Sequence, residues 1–335
     1  MEKYKRILAP IRVNETRIKN RIVVPPMADF GMTEKDGRVN GRHLQHYGAF
    51  ANGGAGLIII EACVVSRMNE PRNTLRVYDD QYIPGMENLA KAVKKKDSVC
   101  IVQLLNNGLE FMRENRIAEI SRKDFLGYKE DFISAAVRCK TAGFDGVELH
   151  AAHGFYLNQV IETSMRDDEY GGRLENRVRL IQELIAEIKE RCGNGFLVAV
   201  RFGNCDYKKL IKIAKAVEGA GGDILDISTG TYNYGEPPEG FPYDRKLYAA
   251  FVVKKNVRIP VIGVGEIRTG EQAEAILKND IADMVAVGRG HLCCPDWTNR
   301  TVHGQEVEVC RNCRNCLWYI DGRKCPVVRK ERNSL

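Results

Sequence analysis

The chain has 335 residues, 44% hydrophobic and 28% charged, with 31 Gly, 11 Pro and 11 Cys. This composition excludes disordered and collagen-like chains. No apolar run reaches the roughly 18 residues of a membrane span, and the N-terminus, MEKYKRILAP, lacks the apolar stretch of a signal peptide, so a cytoplasmic protein is expected. The net charge of +7 is unevenly placed: residues 1–24 and 310–335 each carry seven Lys or Arg against two acidic residues, which leaves −3 for the body between them. A body without net positive charge argues against a nucleic-acid partner.

In chain order, eight apolar runs are each followed by a longer segment, most of them with helical spacing, as repeated β-α units require. Run Arg21–Met27 precedes a helix at Arg42–Asn52, Ala55–Ala62 one at Ile83–Lys96, and Val99–Leu104 one at Gly127–Ala142. Gly146–His153 is followed by Glu175–Arg191, Phe196–Phe202 by Tyr207–Gly219, Ile224–Thr229 by Arg245–Lys254, and Pro260–Glu266 by Thr269–Leu277; Met284–Arg289 is the eighth run. Near-continuous apolar runs suit strands covered on both faces. They predict a (β/α)8 TIM barrel over residues 1–303, with a doubly wound sheet as the competing architecture, and a cysteine-rich tail over 304–335 packed on the barrel. Thr269 suits an N-cap, and Gly143 and Gly221 suit helix ends. The longest connections, Asn106–Arg122 and Gly154–Arg173, are expected to overhang the C-terminal mouth, where barrel active sites lie.

Polar residues at the ends of apolar strands point to a ligand there: Gln103 on the third, Glu148, His150 and His153 on the fourth, Arg201 on the fifth, Asp226 and Ser228 on the sixth. Gly263-Val-Gly265 and Gly288-Arg289-Gly290 follow the last two strands, where barrels commonly hold phosphate. With Gln103 and Arg201 across the mouth they suit a phosphorylated cofactor with a polar ring. No Asp, Glu or Cys completes a metal site with His150-Ala-Ala-His153, so the pair is read as two donors to one substrate oxygen.

The segments NRIVVPPM, GLIIIEA, VQL, AGFDGVELHAAHGF, DEYGGRLENR, the arginine of AVRF, and VGRG together resemble the Old Yellow Enzyme family of FMN-dependent reductases, nearest its 2,4-dienoyl-CoA reductase and NADH:flavin oxidoreductase branch. HAAHGF and EYGGRLENR are the most specific pieces, and the resemblance runs from about residue 4 to 325. It implies a (β/α)8 barrel with FMN at its mouth and hydride transfer to an activated C=C bond. By that resemblance Pro26, Met27 and Ala28 edge the flavin, Ala62 lines it, Gln103 meets its pyrimidine side and Arg201 its N1. Gly265, Gly288 and Arg289 would hold the phosphate; His150 and His153 would bind the substrate oxygen. Ala28 stands where many relatives have Cys or Thr. Phe155 replaces the family's proton-donating tyrosine; the adjacent Tyr156 is carried as a catalytic candidate, although neighbouring residues usually point elsewhere, and the proton donor stays unassigned. The loops after strands three and four are shorter than the family's.

Cys310-x2-Cys313-x2-Cys316-x8-Cys325 is a dense thiol set in a chain without a disulfide context. It is read as the ligands of a 4Fe-4S cluster, with zinc on the same thiolates as the alternative. Arg311, Arg314, Arg323 and Lys324 would offset the charge of an anionic centre, while Arg329, Lys330 and Arg332 read as a solvated tail. Relatives in this branch continue into FAD and NAD(P)H domains, whereas this chain ends ten residues after Cys325. The expected activity is therefore an ene-reductase fed through the cluster, from NAD(P)H or from a separate donor such as a ferredoxin or flavoprotein subunit, and a homo-oligomer is possible. A tRNA dihydrouridine synthase-like reductase and a non-catalytic electron-transfer subunit are the rival readings.

Overall fold

The structure, a computed structural model, describes residues 2–67, 73–108, 116–203, 205–230 and 235–328. Eight parallel strands close into a barrel: β3 (Ile22–Val24), β4 (Leu57–Val64), β5 (Val99–Leu105), β6 (Gly146–His150), β7 (Leu197–Phe202), β8 (Ile224–Ile227), β9 (Val261–Val264) and β10 (Met284–Ala286), with β10 returning to β3. Each coincides with one of the eight apolar runs, and the barrel displaces the doubly wound alternative.

Two further strands precede them. β1 (Ile11–Val13) and β2 (Thr16–Ile18) form an antiparallel hairpin. Its Val13 and Ile18 are buried in one cluster with Val23, Leu57, Ile101, Leu197 and Ile262 from the barrel interior. Asn14, at the turn with φ 52°, donates to Asp223 at 2.6 Å just ahead of β8, so the hairpin caps the N-terminal end. Three-residue strands fall below the length at which alternation is readable in sequence.

Helices Tyr207–Gly219 and Arg245–Lys254 span the expected residues. The one expected from Gly127 begins at Arg122, because Ser121 accepts the Asp124 amide and caps it. Helix Gly270–Lys278 starts behind Thr269, where a capping box with Gln272 satisfies two exposed amides. The segment expected as Glu175–Arg191 divides into Leu174–Arg177 and Arg179–Cys192. Gly143 and Gly221 take φ 86° and 88°, the left-handed turn that glycine enters without Cβ strain. Among the described residues no helix is long and apolar enough to cross a membrane.

The described part of the tail folds back over the mouth. Trp318 is buried, its ring 5.3 Å from that of His46. The Phe30 amide donates to the Tyr319 carbonyl at 3.2 Å, and the Gly322 amide to Asp29 Oδ2 at 3.2 Å. Gly31 is where the backbones come closest: a Cβ there would stand 2.2 Å from the Ile320 carbonyl oxygen. Arg329, Lys330 and Arg332 lie outside the described residues, as do residues 109–115 of the expected overhang.

Candidate active site

A cavity of about 780 Å3 opens at the C-terminal end of the barrel. The stretch after β3 supplies Pro26, Met27 and Ala28 to one wall, and β4 supplies Ala62. Ala62 arrives there through a register irregularity between Ile60 and Cys63, which turns Glu61 the other way, onto Tyr47. Bulges beside sites re-aim side chains in this manner. Gln103, His150, His153 and Arg201 reach the same space from β5, β6 and β7, and Gly265, Gly288 and Arg289 close it beyond β9 and β10.

The two imidazoles lie edge to face with ring centroids 5.1 Å apart. His153 adopts φ 61° and Gly154 φ 81°, so the chain turns sharply as β6 ends and aims both rings into the cavity. Left-handed conformations of non-glycine residues gather at functional sites. Burial, then the neighbouring His153 and Arg201, drive His150 well below the ordinary histidine range; burial and Arg201 bring His153 down to about 3. Both rings are therefore neutral at pH 7. His153 Nε2 lies 3.0 Å from Ser228 Oγ, which accepts a bond from Arg201 Nη2 at 3.2 Å. The Ser228 hydroxyl can accept from Arg201 and still either donate to or accept from Nε2, so it holds the His153 ring in place whichever nitrogen carries the proton.

On the cavity floor Gln103 Nε2 donates to Glu148 Oε1 at 2.7 Å, which directs the Gln103 carbonyl oxygen away from Glu148 as a free acceptor. Arg201 Nε faces Asp226 Oδ2 at 3.1 Å. At the opposite rim Glu266, with φ 47°, bridges Arg268 and Arg289, and Arg289 also bonds Asn312 of the tail. These contacts occupy two of the five N–H donors of Arg289, so the guanidinium can still bind an anion. A Cβ at Gly288 would stand 3.3 Å from Met27 Sδ, so glycine lets the backbone amides line this end closely.

An isoalloxazine ring needs an acceptor for its N3–H, a cation near N1 and a phosphate cradle. The free Gln103 carbonyl, Arg201 and the Gly265/Gly288 amides with Arg289 supply these around a single cavity, so the residues present fit FMN.

Tyr156 is not brought to this site. Its ring is fully buried against Tyr128 and Phe125, with centroids 5.4 and 6.2 Å away, and its hydroxyl has no hydrogen-bond partner. Phe155 lines the cavity instead, its ring centroid 4.9 Å from that of His150. Of the tail thiols, Cys310 and Cys316 line the cavity beside Arg289, Cys313 is exposed, and Cys325 contacts the buried Cys293 thiol, which also meets Cys310. Cys293 belongs to this group although its sequence position, seventeen residues ahead of Cys310, carries no ligand spacing. Among the described residues no three His, Cys, Asp or Glu side chains converge as ligands of a single metal ion.

The chain matches the NADH:flavin oxidoreductase / NADH oxidase family over residues 6–120 and 112–308. It is 35% identical to an NADH oxidase of Thermoanaerobacter brockii across 93% of this chain and 53% of that protein, so it spans about half of that relative's length. It is 32% identical to an NADPH dehydrogenase of Bacillus subtilis over 91% of this chain and 96% of the relative. A solved 2-naphthoyl-CoA reductase complex has the same barrel, with TM-score 0.84 at 20% identity over 95% of this chain and 55% of that one. With the residues for a flavin ring and its phosphate gathered at one barrel mouth, the chain belongs to the NADH:flavin oxidoreductase / NADH oxidase family.

Proposed function

We propose that the protein is an FMN-dependent ene-reductase acting on a C=C bond conjugated to a carbonyl or acyl group. The observation that carries this reading is the pair of neutral imidazoles sharing one cavity with Gln103 and Arg201. When bound, FMN supplies the hydride. His150 and His153 hold the substrate oxygen, and their hydrogen bonds strengthen as that oxygen gains enolate charge, so they stabilise the transition state more than the ground state. Arg201 keeps a cation beside the pyrimidine edge. Phe155 and Ala62 present apolar surface to the bound substrate. With Phe155 unable to donate and Tyr156 turned away, the α-carbon takes its proton from water at the mouth.

His150→Ala and His153→Ala should each lower kcat/KM for a simple enone by about 100-fold, the usual cost of one oxyanion donor, while FMN remains bound. Full activity in both variants would overturn the substrate assignment.

For electron entry, Cys310, Cys316 and Cys325 would hold a 4Fe-4S cluster with Cys313 as the fourth ligand. Three of the four thiols face the cavity rim or Cys293. An iron-sulfur centre there would accept electrons from a donor protein such as a ferredoxin, and NAD(P)H acting at the flavin is the other route. Anaerobically purified protein should show flavin bands over a broad absorption, with iron and sulfide in equal amounts. Zinc without iron would remove the cluster.

A further inference from the structure

Glu148 and Asp226 lie inside the barrel, directly below the cavity, and neither has any exposed surface. Adjacent register places them: Gln103 pairs with Glu148 across β5 and β6, His150 with Arg201 across β6 and β7, and Arg201 with Asp226 across β7 and β8. Gln103 from β5 is bonded to Glu148 and Arg201 from β7 is paired with Asp226, while His150 in register and Ser228 by a hydrogen bond flank Arg201. Arg201 is the one cation among these neighbours. Two carboxylates beside one guanidinium, all out of water, leave an uncompensated negative charge, which a dry interior does not tolerate.

The hydrogen-bond accounting points the same way. Glu148 Oε1 is taken by Gln103 and Asp226 Oδ2 is ion-paired with Arg201 Nε at 3.1 Å, yet neither Glu148 Oε2 nor Asp226 Oδ1 has a hydrogen-bond partner, although the two carboxyls face each other within bonding reach. A single proton between Glu148 Oε2 and an Asp226 oxygen satisfies both sides at once. Two carboxyl groups that share a site share a proton for this reason.

We propose that Glu148 and Asp226 hold one proton between them as a carboxyl–carboxylate pair, and that this pair is a positioning and charge-setting device for the flavin site above it. It leaves Glu148 Oε1 as an acceptor, so Gln103 must point its amide nitrogen down and its carbonyl up. The remaining negative charge sits on Asp226, where it anchors Arg201. With the proton held, the pair and Arg201 sum to zero. Without it, the floor carries a negative charge beneath a cofactor that itself becomes more negative on reduction. Consistently, burial and then the Asp226 charge raise Glu148 to about 8. This inference rests on the flavin reading above.

Two measurements test it on the purified protein. Infrared difference spectra between pH 6 and pH 10 should contain a protonated-carboxyl stretch that titrates near pH 8. Glu61 absorbs and titrates in the same range, so the band is read in a Glu61→Gln background, where it should be missing once Glu148→Gln is added. In Asp226→Asn, where Arg201 is left to pair with Glu148, it should titrate about one pH unit lower or more. Secondly, the midpoint potential of bound FMN should fall with pH as one proton per electron pair below pH 8 and as two above it, because reduction then recaptures the shared proton. In Glu148→Gln the plot should stay on the one-proton line. No such band at any pH, an unmoved titration in Asp226→Asn, or a wild-type potential without the break would each overturn the shared proton or its coupling to the flavin. A protein that binds no flavin would fail the functional reading while leaving the infrared result to decide the pair.

Discussion

Glu61 shows how burial alone changes what a carboxyl does. It is fully enclosed, its amide and Oε1 both meet the Tyr47 hydroxyl, and burial followed by the charge of Asp29 raises it to about 8 from the ordinary 4.5. The folded protein therefore keeps Glu61 protonated at neutral pH, while the unfolded chain ionises it. Stability from this group is whole below pH 4.5, declines as pH rises, and is lost by about pH 8. Glu61→Gln cannot ionise, so the Tm difference between variant and wild type should shift in favour of the variant between pH 5 and 8 and then level off. A difference that stays constant across that range would show that the carboxylate is ionised in the fold. The histidines behave oppositely in kind. With His153 near 3 and His150 held well below the ordinary histidine range by burial, the acid limb of kcat/KM should not report them.

Residues of this type differ in how far they can be read ahead of the fold. Gln103, His150, His153 and Arg201 stand out because a polar side chain in an apolar strand has to be accounted for. Glu61 stands in such a run too, but a bulge decides which neighbour faces the cavity, and no pattern announces it. Tyr156 failed as a candidate for the same reason: one residue of turn after β6 separates a ring that lines the cavity from one that packs into the core. Cys293 was missed because its partners are set by the tail's path over the mouth and not by spacing.

Among the elements, the stretch from Pro25 to Gly31 has two duties. Its first half lines the cavity with Pro26, Met27 and Ala28; its second half moors the tail through Asp29, Phe30 and Gly31. Gly31→Ala places a Cβ 2.2 Å from the Ile320 carbonyl, which neither backbone can accommodate in place. The tail should then detach more often, and trypsin should cut at Arg311, Arg314 or Lys324 about 10-fold faster, equivalent to about 1.4 kcal/mol of docking. Unchanged cleavage would mean that Trp318 alone seats the tail. The strands themselves were legible as apolar runs, although every run except those at β4, β5 and β7 extended past its strand into the loop that carries the chemistry. The hairpin β1–β2 was not legible, being built from three-residue strands.

For the whole molecule, the two basic segments separate in space. Arg12, Arg17 and Lys19 lie on the hairpin at the closed end of the barrel, while Arg311, Arg314, Arg323 and Lys324 surround the tail at the open end. The excess positive charge is thus a property of two opposite faces and not of one binding surface. Among the described residues, five of the seven exposed large hydrophobic ones, Phe30, Val309, Leu317, Tyr319 and Ile320, belong to the open end, where the tail and its cysteines also lie.

Closure of the barrel carries a cost in time. Ile22 pairs with Val285 and Val23 with Ala286, so the last strand to be made must find almost the first. The entropy of closing so long a loop cannot be recovered until most neighbouring pairs have formed. Both glycine-lined connections of the cavity, and the Met27 wall that Gly288 abuts, come together only at that seam. A chain caught before closure would hold seven strands and no complete flavin cradle, so cofactor binding belongs to the end of folding and would act as its lock.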